Sequence, residues 1–156
     1  AGDVDLYYTA SSAELGEYLA AQDAGDVHVT VAPPANPDVM ILNTTVAPLD
    51  DIRVRTALAE ALDVDRLIEF VEGTGVKQPM HGPYGDDSFW FVDTGYPTFD
   101  LDAAKALVDE YEAEVGPISF DYIGNQDPFV VTYMELIQSM WADAGIEADR
   151  LVTFGD

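Results

Sequence analysis

Carboxylates dominate the reactive side chains of this chain: 30 Asp and Glu stand against 6 Lys and Arg in 156 residues. Such groups can act as general acids and bases or hold divalent cations. Pairs such as Asp3 with Asp5 and Asp86 with Asp87 could hold a cation loosely, yet in so acidic a chain they read as solvated surface acids. His28 and His81 lie far apart, and neither has a partner at metal-ligand spacing. With no cysteine, disulfides, thiolate zinc sites and cysteine nucleophiles are excluded together. The chain also lacks the G-x-S-x-G, Walker A, G-x-G-x-x-G and EF-hand patterns. No catalytic residue, metal or cofactor is therefore expected. The alternative is an independent acidic α/β hydrolase with a carboxylate-bound metal.

Amide side chains are the stronger candidates for recognition, because each offers a donor and an acceptor and can match a peptide backbone. Asn125 and Gln126 follow a strand ending near Ile123 and precede a helix opened by Pro128, where open α/β sheets bind ligands. The amides of that helix N-terminus favour negative charge. An Asn in such a loop can equally serve as a turn cap. A second candidate is the aromatic run Phe89, Trp90 and Phe91 in the irregular span 76–98. It either packs the loop onto the domain or lines a ligand cleft, with Trp90 as the contact.

The elements that must position these groups are legible from spacing. Asp51 is placed to cap a helix in which Val54, Ala57, Leu58, Ala61 and Leu62 form one buried face. Asp63 repeats the device for a second helix with the stripe Val64, Leu67, Ile68 and Val71, stopped by Gly73 and Gly75. Three of the four arginines, Arg53, Arg55 and Arg66, fall in this pair of helices among Asp50, Asp51, Asp63 and Glu69. They are expected to form structural ion pairs, Asp51 with Arg55 among them.

Before this pair, residues 5–9 (DLYYT) read as a strand and Ser11 or Ser12 as the cap of a helix containing Leu15, Tyr18 and Leu19. Val27, Val29 and Val31 alternate as a half-buried strand, and 39–42 as a short buried one. After the pair, Asp100 opens a helix with Leu101, Ala104, Val108, Tyr111 and Val115 on one face and a Lys105–Asp109 pair on its surface. Ile118, Phe120 and Tyr122 alternate as a strand, and a helix turns Val130, Met134, Ile137 and Trp141 inward. Gly145 ends that helix and 151–154 form a last strand. Strands alternating with helices predict an α/β fold, a sheet flanked by helices, in one domain spanning 1–156.

Composition bounds the function further. A hydrophobic content of 48% excludes a disordered chain, and no apolar run reaches the ~18 residues that a membrane span requires. AGDVDLYY has neither the basic start nor the apolar core of a signal peptide. A formal charge of -24 excludes nonspecific nucleic-acid binding and anionic membranes. The acids are dispersed rather than gathered in a tail, which points to a surface solvated in high salt and a halophilic host. Low salt should destabilise the domain, since carboxylate repulsion is screened within ~3 Å near 1 M. A melting temperature independent of salt would contradict this.

A strand ending in Asn43, then PLDDIRVRTAL and DVDRLIEFV, resembles the signature segment of the family 5 extracellular solute-binding proteins, which serve ABC importers of oligopeptides, dipeptides and nickel. The likeness continues through HGPYG, YPTFDLDAAKALVDEY and the helix ending WADAGIEAD. DLDAAKAL departs from the family in lacking a proline after its capping aspartate. The resemblance implies one lobe of a type II periplasmic-binding-protein fold, excised from a longer protein with a signal peptide or lipid anchor at the cell surface. It implies a peptide or small-solute ligand held between this lobe and an absent first lobe, with ABC permease subunits as partners. By position it places Asn125, and Asn36, Val39 and Ile41, at the ligand cleft, although APPANP departs from the aromatic-rich strand often seen there.

Overall fold

Aspartate opens four of the five helices, and each carboxylate accepts a backbone amide that the helix cannot satisfy itself. The computed structural model describes residues 5–9, 12–31, 39–72, 79–80, 82, 84–85 and 88–154. In chain order its elements are α1 (Ser12–Asp23), α2 (Ile52–Glu60), α3 (Val64–Glu72), α4 (Leu101–Glu114), β1 (Ser119–Asn125), α5 (Pro128–Asp143) and β2 (Glu147–Phe154). Asp51 accepts from Arg53 N at 2.8 Å, Asp63 from Arg66 N at 3.0 Å, Asp100 from Ala103 N at 3.0 Å and Asp127 from Phe129 N at 2.8 Å. The expected caps Asp51, Asp63 and Asp100 are thus observed, and α5 begins at Pro128 as expected, with Asp127 as a further cap.

Strand β1, helix α5 and strand β2 form a crossover unit. β1 and β2 run parallel, with Ser119 opposite Glu147 and Asn125 opposite Phe154, and the register slips once between Phe120 and Asp121. A parallel pair needs such a helical crossover because the chain must return to its starting end. Helix α5 ends where Ile146 N donates to Trp141 O and Gly145 N to Ala142 O, with Gly145 at φ 89°. That left-handed closure favours glycine.

The core joins α2, α4 and α5 to the sheet: Val54, Ala57, Leu58, Ala104, Val108, Tyr111, Ile118, Ile137, Trp141 and Ile146 are all buried. Trp141 is its centre. Its indole Nε1 donates to Leu58 O at 3.1 Å, tying α5 to α2, and its ring meets Phe120 and Tyr122 edge-on. Gly124 lies where α5 approaches β1 most closely: a Cβ there would collide with the Met134 thioether and crowd Val130. The expected inward faces of α2 and α5 are observed, and on α4 only Val115 departs, at 63% exposed.

The three early strands are not formed. Residues 5–9, 27–31 and 39–42 make no ladder, and the sheet among the described residues has two strands. Alternating apolar residues specify which face a strand would bury, but the strand exists only when a neighbour takes up its amides and carbonyls. None does so here. Helix α1 is present but adds nothing to the core, and Tyr18 on its expected apolar stripe is 36% exposed. Gly73 and Gly75 fall outside the described residues.

Candidate functional site

A cleft of about 1100 Å³ lies between α2, α3, α5 and the segments 39–42 and 94–99. Its walls are largely apolar and aromatic: Tyr96 and Phe99 on one segment, Tyr122 on β1, Phe129 and Tyr133 on α5. Phe129 and Tyr133 are one helical turn apart, with ring centroids 5.1 Å apart, so α5 presents them as one surface. Polar groups at the margin come from Arg55, Asp63 and Asp65. Burial pushes the Tyr122 phenol up to about 12, keeping it a neutral donor throughout the physiological range. An apolar cleft with a few convergent polar groups is the usual form of a small-ligand site.

The β1–α5 loop lies at the carboxyl end of the strand, and its side chains already work for the fold. Asn125 Oδ1 accepts from Asp127 N at 3.0 Å, and Asp127 in turn caps α5. The Asn125 carbonyl oxygen is thereby committed to the turn, while its amide nitrogen has no partner among the described residues. Asp127 also places a carboxylate at the helix N-terminus, which neutralises the attraction for anions expected there. Asn125 and Gln126 are both exposed.

Of the candidate contacts, Val39 lines the cleft, whereas Ile41, Trp90, Asn125 and Gln126 do not. Asn36 lies outside the described residues. Ile41 points into solvent at 93% exposure. Trp90 is 66% exposed and meets Phe89 edge-on at 5.2 Å, so this run is not anchored by burial. Sequence reasoning missed Tyr96, Phe99, Phe129 and Tyr133. The i, i+4 aromatic pair at the start of α5 was the available signal.

Arg53 and Arg55 hold the scaffold. Arg53 pairs with Asp51 at 2.8 Å, Glu110 at 3.1 Å and Glu114 at 3.0 Å, clamping α2 to α4, and its guanidinium lies 5.6 Å from the Tyr111 ring centroid. The hydrogen bonds from Arg53 hold the Asp51 carboxyl below its usual range, and the three carboxylates raise Arg53 in return. The anticipated Asp51–Arg55 pair is not made. Asp51 is taken by its nearer neighbour, and Arg55 instead donates to Leu49 O and Asp50 O, both at 2.9 Å, bracing the turn into α2. Arg66 forms no ion pair among the described residues, nor do Lys105 and Asp109 with each other. No group of three His, Asp or Glu able to hold a metal occurs among the described residues.

Residues 1–152 match the family described as bacterial extracellular solute-binding proteins, family 5 middle section. The dipeptide-binding protein of Escherichia coli K12 is 30% identical over 142 residues, covering 82% of this chain and 24% of that protein. Two solved structures share the fold. A periplasmic oligopeptide-binding protein from Borrelia burgdorferi has TM-score 0.56 and 25% identity, over 72% of this chain and 23% of its own. An ABC transporter substrate-binding protein from Listeria monocytogenes, CtaP, has TM-score 0.60 and 21% identity, over 74% and 24%. The chain thus spans about a quarter of the length of these relatives. With an α/β arrangement and a family match running almost end to end, the chain belongs to the family 5 bacterial extracellular solute-binding proteins.

Proposed function

We infer that this chain is one lobe of the substrate-binding component of an ABC importer, which captures peptides noncovalently outside the cell membrane. The family match over residues 1–152 carries this reading, and the names of the dipeptide-binding and oligopeptide-binding relatives indicate the ligand class. The geometry is compatible: an open, apolar cleft stands beside a parallel strand pair, with an amide-bearing loop at the strand's carboxyl end. A peptide's side chains would be accepted by apolar walls and its backbone by amides such as those of Asn125 and Gln126. Val39 would contribute from the cleft wall, and Asn36, Ile41 and Trp90 are further candidate contacts.

On this reading the other half of the site lies on a second lobe, closure of the two lobes holds the ligand, and the closed form engages permease subunits. The longer protein would be held at the cell surface, by a lipid anchor in our reading. Binding, not catalysis, is the role. Titration calorimetry of the longer protein with di- to pentapeptides is the test: saturable binding, weakened in Asn125→Ala and absent in the 156-residue chain alone, is expected. Micromolar binding by the isolated chain, or no peptide binding by the longer protein, would overturn the proposal.

A further inference from the structure

We propose that Asn43 is a glycan acceptor, whose side-chain nitrogen receives a sugar from a lipid-phosphate-linked donor outside the cell membrane. The chain has three asparagines, Asn36, Asn43 and Asn125, and only Asn43 has a hydroxyl residue two positions on. Asn43, Thr44 and Thr45 satisfy the N-x-S/T acceptor pattern, with no proline in the middle. A three-residue pattern also recurs by chance, so the geometry decides.

Asn43 Oδ1 accepts from Thr45 N at 3.2 Å and from Thr45 Oγ1 at 2.7 Å, closing an Asx-turn. A backbone N–H can only donate, so the side-chain atom turned to it is the oxygen, and the nitrogen is the end left for reaction. Two donors on one oxygen draw electron density across the carboxamide and make an Nδ2 proton easier to remove. Asn125 is the internal comparison. Its Oδ1 accepts from Asp127 N at 3.0 Å, the same backbone turn, but Asp127 supplies no hydroxyl. Asn43, Thr44 and Thr45 are all exposed, between the segment 39–42 and helix α2. Leu42 lines the cleft and Asn43 does not, so a sugar here would stand on the outer surface instead of filling the cleft.

The step balances with one donor, a sugar carried through its anomeric carbon on a lipid phosphate or pyrophosphate. The bond from that carbon to the phosphate oxygen breaks with its electron pair, and the lipid-linked phosphate leaves. A bond forms from Asn43 Nδ2 to the anomeric carbon, and one Nδ2 proton passes to a base of the membrane transferase that presents the donor. Nothing is oxidised or reduced. The product is a bulky, solvated group on a surface turn, the usual setting of such a modification. The site rests on the extracellular location proposed above and not on peptide binding.

Peptide mapping by tandem mass spectrometry of the longer protein, purified from the cells that naturally make it, tests the site. The Asn43 peptide is expected to carry the mass of at least one sugar residue on Asn43, and the Asn125 peptide none. Thr45→Ala should abolish the adduct, because it removes the hydroxyl that bonds Oδ1, and Thr45→Ser, which keeps a hydroxyl, should retain it. The parent map needs no variant, so the test stands even where Thr45→Ala loosens the turn. A bare Asn43 in the parent, or an adduct that survives Thr45→Ala, would overturn the proposal. Fractionation of the same cells separates the causes. A bare Asn43 on protein outside the membrane condemns this site alone, and a bare Asn43 on protein retained inside condemns the extracellular reading with it.

Discussion

Among the described residues the buried core lies entirely after Asn43, and before it no apolar side chain is buried. Val54 and Trp141 are 0% and 1% exposed, whereas Leu6 and Tyr8 are 90% and 84%. Both parts carry apolar residues at regular spacing, so the difference is not one of pattern. It is one of partners. Helices α2 and α4 bury faces against each other and against α5, and β1 finds β2 through a single crossover. Residues 5–9 and 27–31 read as strands, yet among the described residues no strand pairs with them. An amphipathic pattern says what a segment would bury; only topology supplies something to bury it against.

The largest break in this contrast should come from Trp141→Ala. It opens a cavity at the centre of the core and leaves Leu58 O without its buried donor, for a loss of about 3–5 kcal/mol in urea denaturation. Gly124→Ala should follow at about 1–3 kcal/mol, because its methyl group would meet Met134 and Val130 where α5 lies against β1. Met134→Ala in the same chain should recover part of that loss, which distinguishes collision from a backbone effect.

Ionisation sharpens the comparison at both ends of the pH scale. The Asp51 carboxyl is held below its ordinary value by Arg53, so its contribution to stability is present above about pH 4 and is lost as pH falls through the lower folded value. Tyr122 is pushed up to about 12 by burial. Its contribution is present below about pH 10 and is lost as pH rises toward 12. Denaturation midpoints across pH should show both losses, with Arg53→Met weakening the acid limb and Tyr122→Phe the alkaline one. The smallest effect is expected on the other side of the contrast: Tyr8→Ala should change stability by no more than about 0.5 kcal/mol, as for exposed positions generally.

Much of the fold was legible where its determinants are local. Asp51, Asp63 and Asp100 each sit at a helix start because a short carboxylate reaches the free amides of the first turn. The faces of α2 and α5 followed from the 3.6-residue period. The strands 5–9, 27–31 and 39–42 were overread, since pairing is nonlocal and alternation cannot name a neighbour. The Asp51–Arg55 pair failed for a different reason: spacing made it available, but Arg53 reached the same carboxylate with better geometry and joined Glu110 and Glu114, some 60 positions away.

The site was less legible than the scaffold. A cleft is formed by residues brought together from several elements, and Tyr96, Phe99, Phe129 and Tyr133 share no motif in the chain. The Asn125 and Gln126 loop was found because one strand end and one helix start bracket it. Its use as a turn brace, with Asp127 closing the helix, depends on hydrogen bonds that the residue types allow but do not dictate.

The central claim is that the buried core among the described residues is built entirely by the chain from Val39 onward. A chain beginning at Val39 tests this most directly, compared with the 156-residue parent by thermal unfolding. The account predicts a cooperative transition within about 4 °C of the parent, the shift that a loss of no more than 1 kcal/mol gives at this size. A non-cooperative melt, or a midpoint lowered far beyond that, would contradict it and show that the exposed N-terminal segments carry the fold after all.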